Sequence, residues 1–343
     1  MRRRDFLKLA AGALGALSAA GCSRPAQQQG QAPTTGPTAG PPAAPGGGLA
    51  GKVGKNRHDP HPVEGLDAVL ARSTEPAKAL EDADAVLRAA LEPFGGIEAF
   101  VQRGDNVVIK PNLAWARMPE QAANTHPAVL AAVVRACRDA GAGEVLVIEH
   151  PCDRSVVTFD MSGAQAACRE IKVPLVSLDN EQLYGQVPVA KGVNITDEQV
   201  PLDLLDADVY INLPVGKVHG ASVVTLGMKN QLGAVWRPQR YHESKSEEQG
   251  DDNLHQNIAD LATALRPTLN IVDCAQVLLT NGPKGPGRVE APGALVVSPD
   301  IVAVDAAVCE LLSVSPDEVG HIRLAADAGL GRMRELQVKR VQV

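Results

Sequence analysis

The chain has 343 residues, 45% of them hydrophobic and only 3% aromatic, with a formal net charge of -7. That is a globular balance, with room for one large domain or two modest ones. The acidic surplus and the scarcity of Trp, Tyr and Phe argue against nucleic acid as a partner, because phosphate contacts need a basic field and base stacking needs rings.

The amino terminus reads as an address. Met1-Arg2-Arg3-Arg4 is basic, and Leu9 to Ala20 is apolar but too short for a permanent span. Arg3-Arg4-Asp5-Phe6-Leu7-Lys8 is similar to the twin-arginine export signal, with Arg2 standing where Ser or Thr is usual. Residues 1–21 are therefore expected to be a signal segment handled by the twin-arginine export machinery. Ala19-Ala20-Gly21-Cys22 is similar to a lipoprotein box, with Ala19 in place of the usual Leu. Lipid attachment at Cys22 would tether the product to a membrane; plain cleavage near Ala20 is the alternative. Residues 22–51 are rich in Pro, Gly and Gln and cannot bury enough surface to order, so they read as a linker. The expected product is exported, periplasmic or otherwise extracytoplasmic, with its folded domain in residues 52–343.

The folded part alternates strands and helices. Residues 76–91 read as an amphipathic helix ended by Pro93 and Gly95-Gly96. Asn106 to Lys110 is an apolar strand, His126 to Ala140 a helix opened by Pro127, and Glu144 to Ile148 a second strand. Strand, helix, strand at this length is a right-handed βαβ unit. A helix near 162–170, strands at 174–178 and 208–213, and a helix over 222–232 follow. Residues 236–252 form a long polar excursion. Then come a helix at 253–265, strands at 269–273 and 294–298, and helices at 302–312 and 317–328. Continuous apolar strands between helices predict an α/β fold, a single compact domain whose mainly parallel sheet carries helices on both faces.

Ligands of open α/β sheets bind beyond the strands' carboxyl ends, and three expected ends carry polar groups. These are Lys110 and Asn112, then Lys217 and His219, then Asp273. In an extended stretch Lys217 and His219 point to one side, and a helix capped by Ser222 would add free amides to an anion site. The bland alternative leaves Lys217 solvated and His219 bonded to a loop carbonyl. Lys229 and Asn230 fall in the last turn of the expected helix, where a lysine complements the dipole and Gly233 ends the helix; locally that reading suffices. His126 reads as a helix opener. His242 and His255 have metal-ligating chemistry but no compact spacing, so a solvated loop explains them as well. Gly282 to Arg288 is a Gly-rich turn with weak anion-binding character, and Asp305 is a carboxylate on an apolar helix face that needs a partner. No C-x-x-C occurs among the 6 cysteines, so an iron–sulfur cluster is not expected. The cysteines read as buried thiols, with Cys152 the most loop-like candidate for a disulfide.

Val108-Ile109-Lys110-Pro111-Asn112-Leu113, Thr125-His126-Pro127, Asn212-Leu213-Pro214, Lys217-Val218-His219, Thr225-Leu226-Gly227-Met228-Lys229-Asn230, Gly282-Pro283 and Ala303-Val304-Asp305 occur in this order. Together they resemble the bacterial and archaeal family catalogued as domain of unknown function 362, over about residues 78–332. The resemblance implies a compact α/β domain whose motif residues gather in one cleft. It carries Lys110, Asn112, His126, Lys217, His219, Lys229 and Asn230 into a candidate site and supports His242 and His255. Cys274 follows Asp273 where similar chains carry Gly, and the ferredoxin-like cysteine segment of some relatives is absent.

Three functions compete. The first is an exported enzyme on a small anionic molecule, a carboxylate or phosphate. In it Lys110, Asn112, His126, Lys229 and Asn230 bind substrate, His219 moves a proton, Lys217 acts as cation or nucleophile, and Asp273 orients the histidine. The second is a metal- or cofactor-dependent redox protein using His126, His219, His242 and His255. The third is a tethered protein that binds an anionic solute without chemistry.

Overall fold

The structure, a computed structural model, describes residues 63–243 and 252–343. The expected signal segment, linker and Cys22 lie outside the described residues, as do residues 244–251 of the polar excursion.

In chain order the elements are β1 (Ala68–Arg72), α1 (Ala83–Leu91), β2 (Asn106–Pro111), α2 (Pro127–Asp139), β3 (Glu144–Glu149), α3 (Ser155–Met161), α4 (Ala164–Glu170) and β4 (Leu175–Ser177). Next come β5 (Tyr184–Pro188), β6 (Asp197–Pro201), α5 (Leu202–Asp206), β7 (Val209–Leu213), β8 (Val215–His219), β9 (Val223–Thr225) and α6 (Gly227–Asn230). The chain closes with α7 (Asp252–Ala264), β10 (Leu269–Leu278), β11 (Val289–Glu290), β12 (Ala294–Ser298), α8 (Ile301–Cys309), α9 (Gly320–Asp327) and β13 (Val338–Gln342).

The main sheet runs β13-β1-β12-β10-β7-β2-β3-β4, and β5 and β6 form a separate two-stranded sheet. From β10 through β7, β2 and β3 to β4 every pairing is parallel; β12 joins both β10 and β1 antiparallel. The α/β architecture is therefore as expected, with antiparallel pairings at one end. Each central strand carries a continuous apolar run, such as Val107-Val108-Ile109 in β2, because consecutive residues serve opposite faces. Val107 and Ile109 enter a core with α1, α2 and α4. Val108 between them enters a second core with α5, α7, α8 and α9. Both faces are covered, and no helix among the described residues is long and apolar enough to cross a membrane.

Two expected helices change form. Residues 76–91 begin with a separate 3₁₀ turn, and the α-helix starts at Ala83. Over 222–232 the chain is not one helix: β9 pairs antiparallel with β8, placing Lys217 opposite Thr225 and His219 opposite Val223, before the short α6. Val223-Val224-Thr225 is a β-branched run, which fits a pleated surface better than a helix. Ser222 accordingly caps nothing helical; its hydroxyl donates to the Val224 carbonyl at 3.0 Å.

The start of α6 is fixed instead by Asp305 of α8, whose carboxylate accepts from the Gly227 amide at 2.6 Å and the Met228 amide at 3.0 Å. The buried carboxylate thus finds its partners, although burial still pushes its pKa up to about 7. The geometry also explains Gly227, since a Cβ there would sit 2.8 Å from the Asp305 Oδ1.

Candidate active site

The parallel strands β2, β3 and β7 end on one edge of the sheet, and β8 and β10 extend past them. Lys110 of β2 stands in register with Asn212 of β7. Above these ends lies a cavity of about 150 Å³. Its lining includes Lys110, Asn112, Glu149, Lys217 and Asn230, all buried, together with half-buried His219 and Lys229. Trp115, His150, Cys152, His242 and Pro283 complete much of its wall and rim.

Lys110 is not available to a ligand. Its ammonium donates to the Pro111 carbonyl at 2.8 Å, to Glu149 Oε2 at 2.9 Å and to Asn230 Oδ1 at 3.0 Å, which uses all three hydrogens. The Glu149 carboxylate also accepts from the Leu113 amide at 2.8 Å and the His150 amide at 2.9 Å. Burial lowers the Lys110 pKa and the Glu149 charge opposes that fall. This is a structural ion pair beneath the cleft, and the expected substrate-binding role of Lys110 gives way to it.

Asn230 is the centre of an amide network. Its Oδ1 accepts from Lys110 and from Asn112 Nδ2, the latter at 2.8 Å; its Nδ2 donates to Asn212 Oδ1 at 2.9 Å. Asn212 Nδ2 in turn donates to Asn270 Oδ1 at 3.0 Å. The network orients Asn112, whose remaining oxygen accepts from Lys217 Nζ at 2.9 Å. Asn230 and Asn112 thus act on the cleft by fixing other side chains. Gly233 permits this closeness: a Cβ there would lie 2.0 Å from Glu149 Oε1.

Lys217 is fully buried, yet it lines the cavity. It donates to Asn112 and to the Ala123 carbonyl, and no carboxylate pairs with it among the described residues. Burial, with a smaller push from the Lys229 and Lys110 charges, lowers its pKa to about 7. Lys229 is lowered to about 8 by burial, and its ammonium lies 3.5 Å from His242 Nε2.

His219 behaves differently from the expected proton carrier. Its Nδ1 accepts from the Ala221 amide at 3.1 Å and the Ser222 amide at 3.2 Å, so the ring hydrogen belongs on Nε2. Burial, then the Lys229 and Lys217 charges, push its pKa to about 3. At neutral pH it is an N–H donor, not a base poised to titrate.

Other expectations separate from the cleft. Asp273 does not orient His219: its carboxylate accepts from the His126 amide at 2.8 Å and the Ala275 amide at 3.0 Å. His126 caps α2, with Nδ1 accepting from the Ala128 amide at 3.2 Å, and it is not among the residues lining the cleft. His242 and His255 do not come together as metal ligands. His242 lies on the rim, while His255 is buried against His321, their rings stacked 5.2 Å apart at 18°. Among the described residues no three His, Cys, Asp or Glu side chains gather as a metal site. The five described cysteines are unpaired; four are buried, and Cys152 is exposed beside the cleft.

The Gly-rich turn contributes a wall. Pro283 lines the cavity, and Lys284 lies 5.5 Å from the Trp115 ring centre. Glu149, His150 and Cys152 were not singled out as site residues from the sequence. The signal was there: Glu149-His150 follows an apolar strand, as Lys110 does.

A sheet whose strand ends gather lysines, amides and an imidazole around one cavity defines an α/β domain with a candidate site at those ends. The chain belongs to the family described as Domain of unknown function (DUF362), which matches residues 107–310. It is 30% identical over 244 residues to the Thylakoid-associated protein sll1697 of Synechocystis sp. (strain ATCC 27184 / PCC 6803 / Kazusa), covering 70% of this chain and 73% of that protein. Among solved structures, the lactate racemase apoprotein from Thermoanaerobacterium thermosaccharolyticum is similar over 73% of this chain and 58% of its own, at 12% identity and TM-score 0.47. A Thermotoga maritima protein is similar over 69% of this chain and 59% of its own, at 11% identity and TM-score 0.40.

Proposed function

We propose that the cleft is the active site of an enzyme acting on a small anionic molecule, with Lys229 and the His219 Nε2–H as the anion-binding groups. The observation that carries this reading is the pairing of a structurally neutralised lysine, Lys110, with two lysines in the same cavity, Lys217 and Lys229, that have no carboxylate partner among the described residues. Lys110 has its anion in Glu149, but an ammonium at Lys229 or Lys217 is costly in this cavity without one. A carboxylate or phosphate entering the cavity supplies one, and the local dielectric strengthens its attraction.

An enzyme is favoured over a passive receptor by Lys217. A receptor would keep its lysines charged, whereas the pKa of this amine is lowered to about 7, the range of a working base or nucleophile. The metal-dependent reading draws no support from the separation of His242 from His255. Calorimetric titration with acetate, pyruvate and phosphate tests the binding step: Lys229→Met should weaken the best ligand about tenfold. Unchanged affinity in that variant removes the assignment. Prolonged incubation followed by NMR tests the chemistry, since a ligand recovered unaltered favours the receptor.

The site would work outside the cytoplasm. Arg3-Arg4 and the Cys22 segment support twin-arginine export with a lipid tether. Mass analysis of the cell-derived protein tests this: an intact Met1 on the mature chain removes the proposal.

A further inference from the structure

Lys217 stands apart from the other lysines of the cleft in the way its nitrogen is held. Lys110 has three acceptors, one of them a carboxylate, as an ammonium requires. Lys217 has two neutral acceptors, Asn112 Oδ1 at 2.9 Å and the Ala123 carbonyl. Two acceptors fix both hydrogens of a neutral amine, and the remaining tetrahedral position is its lone pair. The Lys217 side chain is fully buried and lines a small cavity. Asn112 cannot turn its oxygen away, because its Nδ2 is held by Asn230 at 2.8 Å and Asn230 is held by Lys110. The network therefore holds an amine whose neutral form is a poor anion receptor and a good partner for an electrophilic carbon.

We propose that Lys217 condenses with the carbonyl carbon of a small oxo-acid to form an imine, with the substrate carboxylate at Lys229 and the carbonyl oxygen at the His219 Nε2–H. This deepens the reading of the cleft as an anion-binding active site and rests on it. The Nζ lone pair attacks the carbonyl carbon, and the C=O π pair moves to oxygen, where the imidazole N–H stabilises it. The nitrogen gives up its two protons, the oxygen receives both, and the C–O bond breaks as water leaves. One C=N bond replaces one C=O bond with no change of oxidation state. Burial supports the step by keeping a large fraction of the amine unprotonated at neutral pH. The carboxylate partner follows from the second lysine: Lys229, Lys217 and His219 all line the same cavity of about 150 Å³.

The test is reductive trapping on the full-length protein. Pyruvate and glyoxylate are each added with borohydride, and intact mass and peptide mapping locate the reduced adduct. The expected result is one adduct per chain, at Lys217, that is lost in Lys217→Arg and requires about tenfold more pyruvate in Lys229→Met. Calorimetric binding of propionate, which has the carboxylate but no carbonyl, runs in parallel. If propionate binds and neither oxo-acid is trapped at Lys217 of the wild-type protein, the imine is wrong and the anion site stands. If neither binding nor trapping occurs, both readings fall. Adducts spread over several lysines and unchanged in Lys217→Arg also overturn the imine. Trapping is read in the wild-type chain, so the result does not depend on a variant's folding.

Discussion

Glu149→Gln is expected to be among the most destabilising single changes under the cleft, although it alters one atom. The carboxylate acts only as an acceptor. Oε2 receives Lys110 Nζ at 2.9 Å and the Leu113 amide at 2.8 Å, and Oε1 receives the His150 amide at 2.9 Å. A carboxamide in the same place turns its NH₂ toward one of these donors whichever way it flips. Lys110, with its side chain 1% exposed, also loses its counter-ion. Removing one partner of a buried pair costs about 3–5 kcal/mol. For a domain of this size that is a fall in Tm of about 6–20 °C. The Lys110→Met, Glu149→Gln double variant removes the stranded charge and should recover a substantial part of the loss, so the cycle is strongly non-additive. Burial already lowers the Lys110 pKa and Glu149 opposes that fall, so the variant's folded-state pKa drops further below the unfolded 10.5. The folded variant then binds fewer protons than the unfolded chain, and its deficit should shrink as pH rises toward that value. Urea denaturation of the four proteins at pH 7 and 9 decides the matter. A Glu149→Gln protein melting within about 2 °C of wild type, or an additive cycle, would refute a structural Lys110–Glu149 pair.

Other outcomes follow from the same geometry. Gly233→Ala should cost about 1–3 kcal/mol by pushing on Glu149 Oε1 and Lys110, read by thermal melting; a neutral result would mean the α6 region moves freely. Asn230→Asp preserves shape but turns an oxygen toward the Asn212 Oδ1 and Lys110 carbonyl acceptors, so a loss of about 1–3 kcal/mol in urea denaturation is expected. His219 is held near 3, below the unfolded 6.5, so the folded state binds fewer protons and stability is lost as pH falls through that window. His219→Gln keeps an acceptor for the Ala221 and Ser222 amides and should lose less stability than wild type between pH 7 and 4.5, by up to about 1.4 kcal/mol per pH unit; parallel urea curves that fall equally would contradict it.

The sequence by itself determined the layers. Apolar strands such as Val107-Val108-Ile109 announce a sheet buried on both sides, because side chains alternate locally and need no knowledge of their partners. It also located the strand ends and so Lys110, Asn112, Lys217 and His219. The β-branched run at Val223 carried its strand preference in plain view, and only the helical spacing around it hid the β8–β9 pairing. What tertiary structure alone decided is which charges meet. Lys110 and Glu149 are 39 residues apart and pair because β2 and β3 are neighbours. Lys217 finds Asn112 across 105 residues, and Asp273 is taken by the His126 amide across 147. The pKa of a lysine or histidine depends on the water it loses and the charges it faces, and both are set only when distant strand ends close around one cavity. Local spacing can place these residues at an edge of the sheet. It cannot say that one lysine is neutralised, that another is left with two amide acceptors, or that the histidine beside them stays uncharged.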